Sequence, residues 1–124
     1  MPKKKPRAKA VTEADTALRN YLRARDPACI TCGSTKNLQV SHYVTKGAGG
    51  YRYRWSEVNA NMQCSACHVR FHRVSPYDYT EAIVARHGVE AVKAMELRGP
   101  VKYTTADIMQ IAIAYREKLK DITE

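Results

Sequence analysis

No stretch of this 124-residue chain approaches the roughly 18 consecutive apolar residues of a membrane span. The basic start MPKKKPRAKA has no apolar segment behind it of the kind a secretory leader needs. Internal repeats are also absent, so a chain of this length reads as one domain whose core is modest for its surface. Cysteine is scarce, with only four residues, and histidine equally so. These absences make a cytoplasmic protein the expectation, and in that compartment reduced thiols bind metal more readily than they form disulfides.

Acidic residues are missing from the first nine positions, where Lys3, Lys4, Lys5, Arg7 and Lys9 stand. The whole chain has 21 Lys plus Arg against 12 Asp plus Glu, a net charge of +9. Removing the arm still leaves the body at +4, so a polyanionic partner is implied. The arm alone reads equally as a solvated tail or as a phosphate-binding segment. No helical segment joins a basic face to bulky apolar anchors, which favours nucleic acid over a membrane surface.

Periodicity gives an α+β plan. Residues 1–11 read as a disordered basic arm and 12–124 as one domain. Its core spans about 27–75, and C-terminal helices span about 77–122. Thr12 is a candidate helix cap with Asp15 as a weak capping partner, and Ala14, Leu18, Tyr21 and Leu22 recur at helical spacing up to Pro27. NLQVSHYV alternates as a short strand, TKGAGG reads as a mobile loop over 46–50, and YRYRW reads as extended. A short helix begins near Cys67. Helices follow over 77–87, closed by Gly88, and over 89 to about 97. After an RGP break, a last helix is capped near Thr104 or Thr105, with Ile108, Ile111, Ala112, Tyr115 and Leu119 on one stripe. That stripe serves either its own core or a homodimer contact.

Cys29-x-x-Cys32 and Cys64-x-x-Cys67, with 31 residues between the pairs, have the spacing of two knuckles that share one tetrahedral zinc ion. A redox centre would need one pair only, and core cysteines would explain no spacing. Such a closed site is structural.

Three of the four histidines lie close to these knuckles. His42 ends the first strand, Asn59 precedes Cys64 by five residues, His68 follows Cys67, and His72 comes one helical turn later. Residues 29–73, VNANMQCSACH above all, resemble the HNH, or ββα-metal, nucleases. The resemblance implies a zinc-held, treble-clef-like HNH core and makes His68, directly after the second zinc cysteine, a ligand of a catalytic Mg2+ or Mn2+ ion.

Phosphodiester hydrolysis needs a base for water, and a neutral imidazole titrating near ~6.5 can serve. We assign that role to His42, whose alternative is a satisfied strand histidine. Asn59 would hold the base or its loop without titrating. Many members of the HNH family have an acidic residue or histidine directly before the base, where Ser41 stands here. His72 shares a helix face with His68 and would supply the missing ligand; its alternative is a surface or phosphate-contacting histidine. His87, beside Gly88, reads as a helix C-terminal histidine outside any site.

The flanks extend the likeness. ADTALRNYLRARD, CITCGS, SHYVTKG, YRYRWSEVNANMQCSACH, YTEAIVARHGVEAVKAME and AYREKLKDI, in that order over about 14–121, resemble the Rap (NinG) recombination nucleases of lambdoid phages. That family typically has an extra N-terminal cysteine-containing segment, absent here, tends to have a small residue at the Ser41 position, and in some members has Asn where His68 stands. The resemblance implies a phage endonuclease for branched intermediates such as Holliday junctions and D-loops, working in the host cytoplasm. Lys3, Lys4, Lys5, Arg7, Lys46, Arg52, Arg54, Arg70 and Arg73 are the candidate DNA contacts, with Arg70 and Arg73 nearest the scissile strand. The alternatives are a non-catalytic zinc-stabilised DNA-binding module and a nuclease cutting ordinary duplex.

Overall fold

The computed structural model describes residues 5–97 and 101–123. Its elements are α1 (Pro6–Arg25), β1 (Leu38–His42), α2 (Lys46–Gly49), β2 (Ala60–Cys64), α3 (Ser65–Arg73), α4 (Tyr77–His87), α5 (Val89–Ala94) and α6 (Thr105–Thr123). Lys3, Lys4 and the break expected at 98–100 lie outside the described residues. The result is a small mixed α+β fold in which α1 lies on the two-stranded sheet and α6 packs along α1.

α1 begins at Pro6, six residues before the expected start. Proline suits that first position because its missing N–H would be unpaired there in any case. Thr12 is thus inside the helix, and its hydroxyl donates back to the Ala8 carbonyl at 3.0 Å instead of capping. The early turns are held by tertiary packing, since Ala10, Ala14 and Ala17 are buried with Ala112 of α6. Small side chains let the two helices approach closely, and α1 against α6 is the most extensive contact between elements. α6 starts on a reciprocal cap: Asp107 N–H donates to Thr104 Oγ1 at 3.0 Å, and Thr104 N–H donates to the Asp107 carboxylate at 2.9 Å. Its stripe of Ile108, Ala112 and Tyr115 faces α1, so the apolar face meets this chain's own core.

β1 and β2 pair antiparallel, with Val40 opposite Met62 and His42 opposite Ala60. Val40, Met62 and Ala60 belong to the core under α1. The other face has Ser41, Asn61 and Gln63, all buried, and Tyr79 of α4 donates to the Ser41 carbonyl at 2.7 Å.

Two expectations fail between the strands. Lys46–Gly49 form a helical turn, α2, because Thr45 Oγ1 accepts from Ala48 N–H at 3.2 Å and caps it. YRYRW is a run of turns rather than a strand. Tyr51 and Trp55 stack at 5.3 Å between centroids, a contact that coils the segment instead of extending it.

An ionic knot joins the ends of α1, β2 and α4. Arg25 grips Asp26 with two bonds of 2.8 and 2.9 Å, Arg86 adds a third at 3.1 Å, and Asp26 accepts the Met62 amide at 3.2 Å. Asp26 lies three residues before Cys29, so the knot anchors the first cysteine turn to the strand that ends at Cys64.

Candidate functional site

The first cysteine pair sits on the turn after α1, where Gly33 adopts a left-handed φ of 80° and its N–H bonds the Cys29 carbonyl at 2.9 Å. Cys64 ends β2 and caps α3, accepting on sulfur from the Cys67 amide at 3.5 Å. The four Sγ atoms lie within 4.8 Å of one another. Cys32 and Cys64 are 3.6 Å apart, close to the ~3.8 Å edge of a tetrahedron with ~2.3 Å zinc–sulfur bonds. The donor set and its geometry fit a structural zinc ion. Burial pushes the Cys29 thiol up, but the amides of Cys32, Cys64 and Thr31 more than offset this and bring it down to about 7. Burial and the neighbouring sulfurs push Cys67 strongly upward. The neighbouring sulfurs thus oppose ionisation of Cys67, a repulsion that a cation among them would relieve.

A second concavity, of about 460 Å3, gathers His42 from β1, His68 and His72 from α3, Asp15 and Arg19 from α1, and Lys46 from α2. His42 is half-buried, and its Nε2 lies 2.8 Å from the Arg54 carbonyl. A carbonyl only accepts, so Nε2 has the hydrogen and Nδ1 holds the lone pair. Burial lowers the basicity of this imidazole, opposed by the bond to Arg54 and reinforced by the Lys46 charge. His68 Nδ1 donates to Gln39 Oε1 at 2.6 Å, which puts its lone pair on Nε2. His72 Nε2 lies 3.0 Å from that nitrogen. With the lone pair on His68 Nε2, His72 Nε2 donates to it; were that proton displaced, the same spacing would match two nitrogens ~2.1 Å from one ion at a right angle, ~3.0 Å apart. Burial and then the neighbouring His72 lower the basicity of His68.

Asn59 makes no hydrogen bond to the His42 ring among the described residues. Fully buried, it accepts the Val44 amide at 2.6 Å and donates to the Val44 carbonyl at 3.0 Å and the Tyr53 carbonyl at 3.1 Å. It thus clamps both ends of the segment whose Arg54 carbonyl orients the imidazole. Ser41 points away: strand alternation puts it on the face opposite His42, fully buried, its Oγ without a partner among the described residues. It cannot share a ligand with the histidine pocket.

The candidate DNA contacts divide. Lys46 lines the histidine pocket. Arg54 does not reach out as expected, because its Nε and Nη2 bind the Asp15 carboxylate at 3.0 and 2.7 Å. Arg7 lies in α1 and donates to the Tyr103 carbonyl at 2.7 Å. Arg70 lines a separate cleft with Ile30, Cys32 and Glu81 and is 3.7 Å from Asp78, so it is turned away from the histidines. Lys5 and Arg73 are exposed, and Arg52 lines a third concavity beside Trp55 and Tyr103. His87 does close α4, but it also bonds Asn61 Oδ1 at 3.0 Å.

Sequence reasoning missed Asp15, Arg19 and Gln39. Asp15 resembled a capping residue, yet its partners Arg54 and Trp55 are 39 and 40 positions away, beyond any local signal. Burial alone would raise its carboxyl; the Arg54 guanidinium and the Trp55 indole hold it below the ordinary carboxylate range.

The family model described as NinG, Bacteriophage Lambda NinG protein, matches residues 2–124. Protein ninG of Salmonella phage P22 is 30% identical over 125 residues, covering 97% of this chain and 61% of that protein. The chain thus spans under two thirds of the length of that relative. No solved structure matches. The wider likeness drawn from the sequence needs correction: these matches have the NinG description alone, and nothing in them ties NinG to Rap or to the HNH nuclease superfamily. Among the described residues no helix is long and apolar enough to cross a membrane.

Proposed function

The chain belongs to the NinG family of phage proteins, and for it we propose a metal-dependent DNA endonuclease that cuts branched recombination intermediates such as Holliday junctions and D-loops. The family description itself has no activity attached; the reading rests on one observation, the pocket that gathers three of the chain's four imidazoles, one with its lone-pair nitrogen set by a backbone carbonyl.

In this reading β1, β2 and α3 form a ββα unit held together by the four-cysteine zinc site, with His68 and His72 on α3 as ligands of Mg2+ or Mn2+. A divalent ion there would neutralise charge growing on the phosphate and ease departure of the sugar oxygen. His42, neutral at pH 7, takes the proton of the attacking water on Nδ1. Arg19 and Lys46 flank the pocket from α1 and α2 and hold the phosphates on either side of the scissile bond. Asn59 keeps the loop behind His42 in place. The surplus of positive charge draws in the polyanion, with Lys3, Lys4 and Lys5 extending the contact.

The test incubates the protein with a four-way junction and a linear duplex of matched sequence, with magnesium, manganese or a chelator. Cutting of the junction alone, dependent on the ion and lost in His42→Ala, is the expected result. Equal cutting of both substrates removes the branch preference and leaves a general duplex nuclease. The burial of Ser41, which leaves the position before His42 without a ligand, favours a second reading as a non-catalytic zinc-held DNA-binding module. Binding without cutting under every ion would establish it.

A further inference from the structure

We infer that Asp15 is a positioning residue: acting through Arg54, it fixes the backbone carbonyl that holds the His42 ring. For its kinetic consequence this rests on the nuclease reading, while its structural consequence stands independently.

The segment from Tyr51 to Ser56 has little backbone scaffolding of its own. It belongs to neither strand, and its internal amide bonds are long, 3.4 Å from Arg54 N–H to the Tyr51 carbonyl and 3.2 Å from Ser56 N–H to the Tyr53 carbonyl. What locates the Arg54 carbonyl is therefore side-chain contact from outside. Asn59 supplies one such contact through the Tyr53 carbonyl. Tyr115 supplies another, its hydroxyl donating to the Trp55 carbonyl. The one that grips Arg54 itself is Asp15, on which three donors converge: Arg54 Nε at 3.0 Å and Trp55 Nε1 at 2.9 Å on Oδ1, and Arg54 Nη2 at 2.7 Å on Oδ2. A two-pronged arginine–carboxylate bond fixes direction as well as distance. The helix on which Asp15 sits is itself packed along α6. A chain of contacts thus runs from α1 through Asp15 and Arg54 to the 2.8 Å bond that orients His42.

The same geometry argues against Asp15 as an ion ligand, although it lines the pocket. Its carboxylate is already matched by a guanidinium and an indole, and turning it toward an ion would strip the half-buried Arg54 of its partner. Its effect on catalysis would reach the water only through His42.

The experiment compares wild type with Asp15→Asn, Arg54→Lys and the double variant. Arg54→Lys retains the carbonyl and a positive charge but loses the two-pronged bond. Zinc content and thermal midpoint establish that each variant is folded. By NMR, the His42 Nε2 proton is expected as a slowly exchanging resonance in wild type and lost or fast-exchanging in each variant. On a four-way junction with manganese, each single variant should lower kcat roughly tenfold to a hundredfold with KM unchanged. The double variant should lose no more than the worse single one, because both cut the same link. An unchanged Nε2 proton in both single variants overturns the proposal, as does a double variant in which the two losses multiply. If wild type cuts no DNA while the proton behaves as expected, the nuclease reading fails and the positioning role stands.

Discussion

Replacing Asn59 by alanine strips the loop between β1 and β2 of its internal clamp. Three bonds go at once: the acceptor for Val44 N–H at 2.6 Å and the donors to the Val44 and Tyr53 carbonyls at 3.0 and 3.1 Å. Asn59 is fully buried, so water does not readily replace them. A buried polar group left without a partner costs ~1–3 kcal/mol, and partial relaxation of the loop brings the sum for three groups to about 3–5 kcal/mol. For a domain with ~5–15 kcal/mol of total stability that is a large share. At this chain length it corresponds to a fall in melting temperature of roughly 10–20 °C. Asn59→Asp is the sharper test. It keeps the acceptor for Val44 N–H but aims a carboxylate at two carbonyl oxygens, so it should be at least as damaging as alanine despite its identical shape. Chemical denaturation gives the free energy and calorimetry the midpoint, while zinc content should be retained, since the clamp lies at the other end of β2 from Cys64. An alanine variant within about 1 kcal/mol of wild type, or an aspartate variant as stable as wild type, would show that the loop is held by something other than this amide.

Cys64→Ser removes both a ligand and the sulfur that caps α3, and should abolish the one zinc per chain that elemental analysis is expected to find, together with most of the cooperative unfolding transition. Asp26→Ala leaves Arg25 and Arg86 facing each other without their shared carboxylate and should cost about 3–5 kcal/mol by urea denaturation; a loss under ~1 kcal/mol would mean the knot is incidental. Burial depresses the basicity of His42, His68 and His87 in the folded chain. A histidine with a depressed folded value contributes stability that is complete above its unfolded value, near ~6.5, and is lost as pH falls below it. Because the lowered Cys29 thiol makes its own loss as pH falls from 9 to about 7, the histidine effect is read below that range, as a further decline in melting temperature from pH 7 to 5.5; a level course there would refute the account.

What the sequence disclosed, and what it hid, follows from the range of the interactions involved. The cysteine pairs, the strand ending at His42 and the helix over 77–87 closed by Gly88 depend on neighbours a few positions away, and each is found where its spacing puts it. The start of α1 did not have that protection. Nothing near PKKKPRAK announces a helix, and it is the fit of Ala10 against α6, a hundred residues on, that makes those turns worth forming. YRYRW illustrates the opposite failure: alternation suggests a strand, but Tyr51 and Trp55 gain more by stacking on each other, and Arg54 by reaching Asp15, than an edge strand would offer.

Ser41 was open to a better reading from sequence alone. Once His42 is placed on a strand and assigned to a pocket, alternation obliges its neighbour to face the other way, so position 41 could never have supplied a ligand to that pocket while the strand persists to His42. In the proposed nuclease a ligand set beside His42 would come from a second element, α3, which follows β2 directly and has His68 and His72 on one face. If the proposed activity holds, the cysteine cage would bear on its chemistry without touching it. By fixing the junction of β2 and α3 it sets the angle at which those two imidazoles enter the pocket, and a variant that loosens the cage should disturb the 3.0 Å histidine pair before it disturbs His42, whose restraints come from α1 and Asn59.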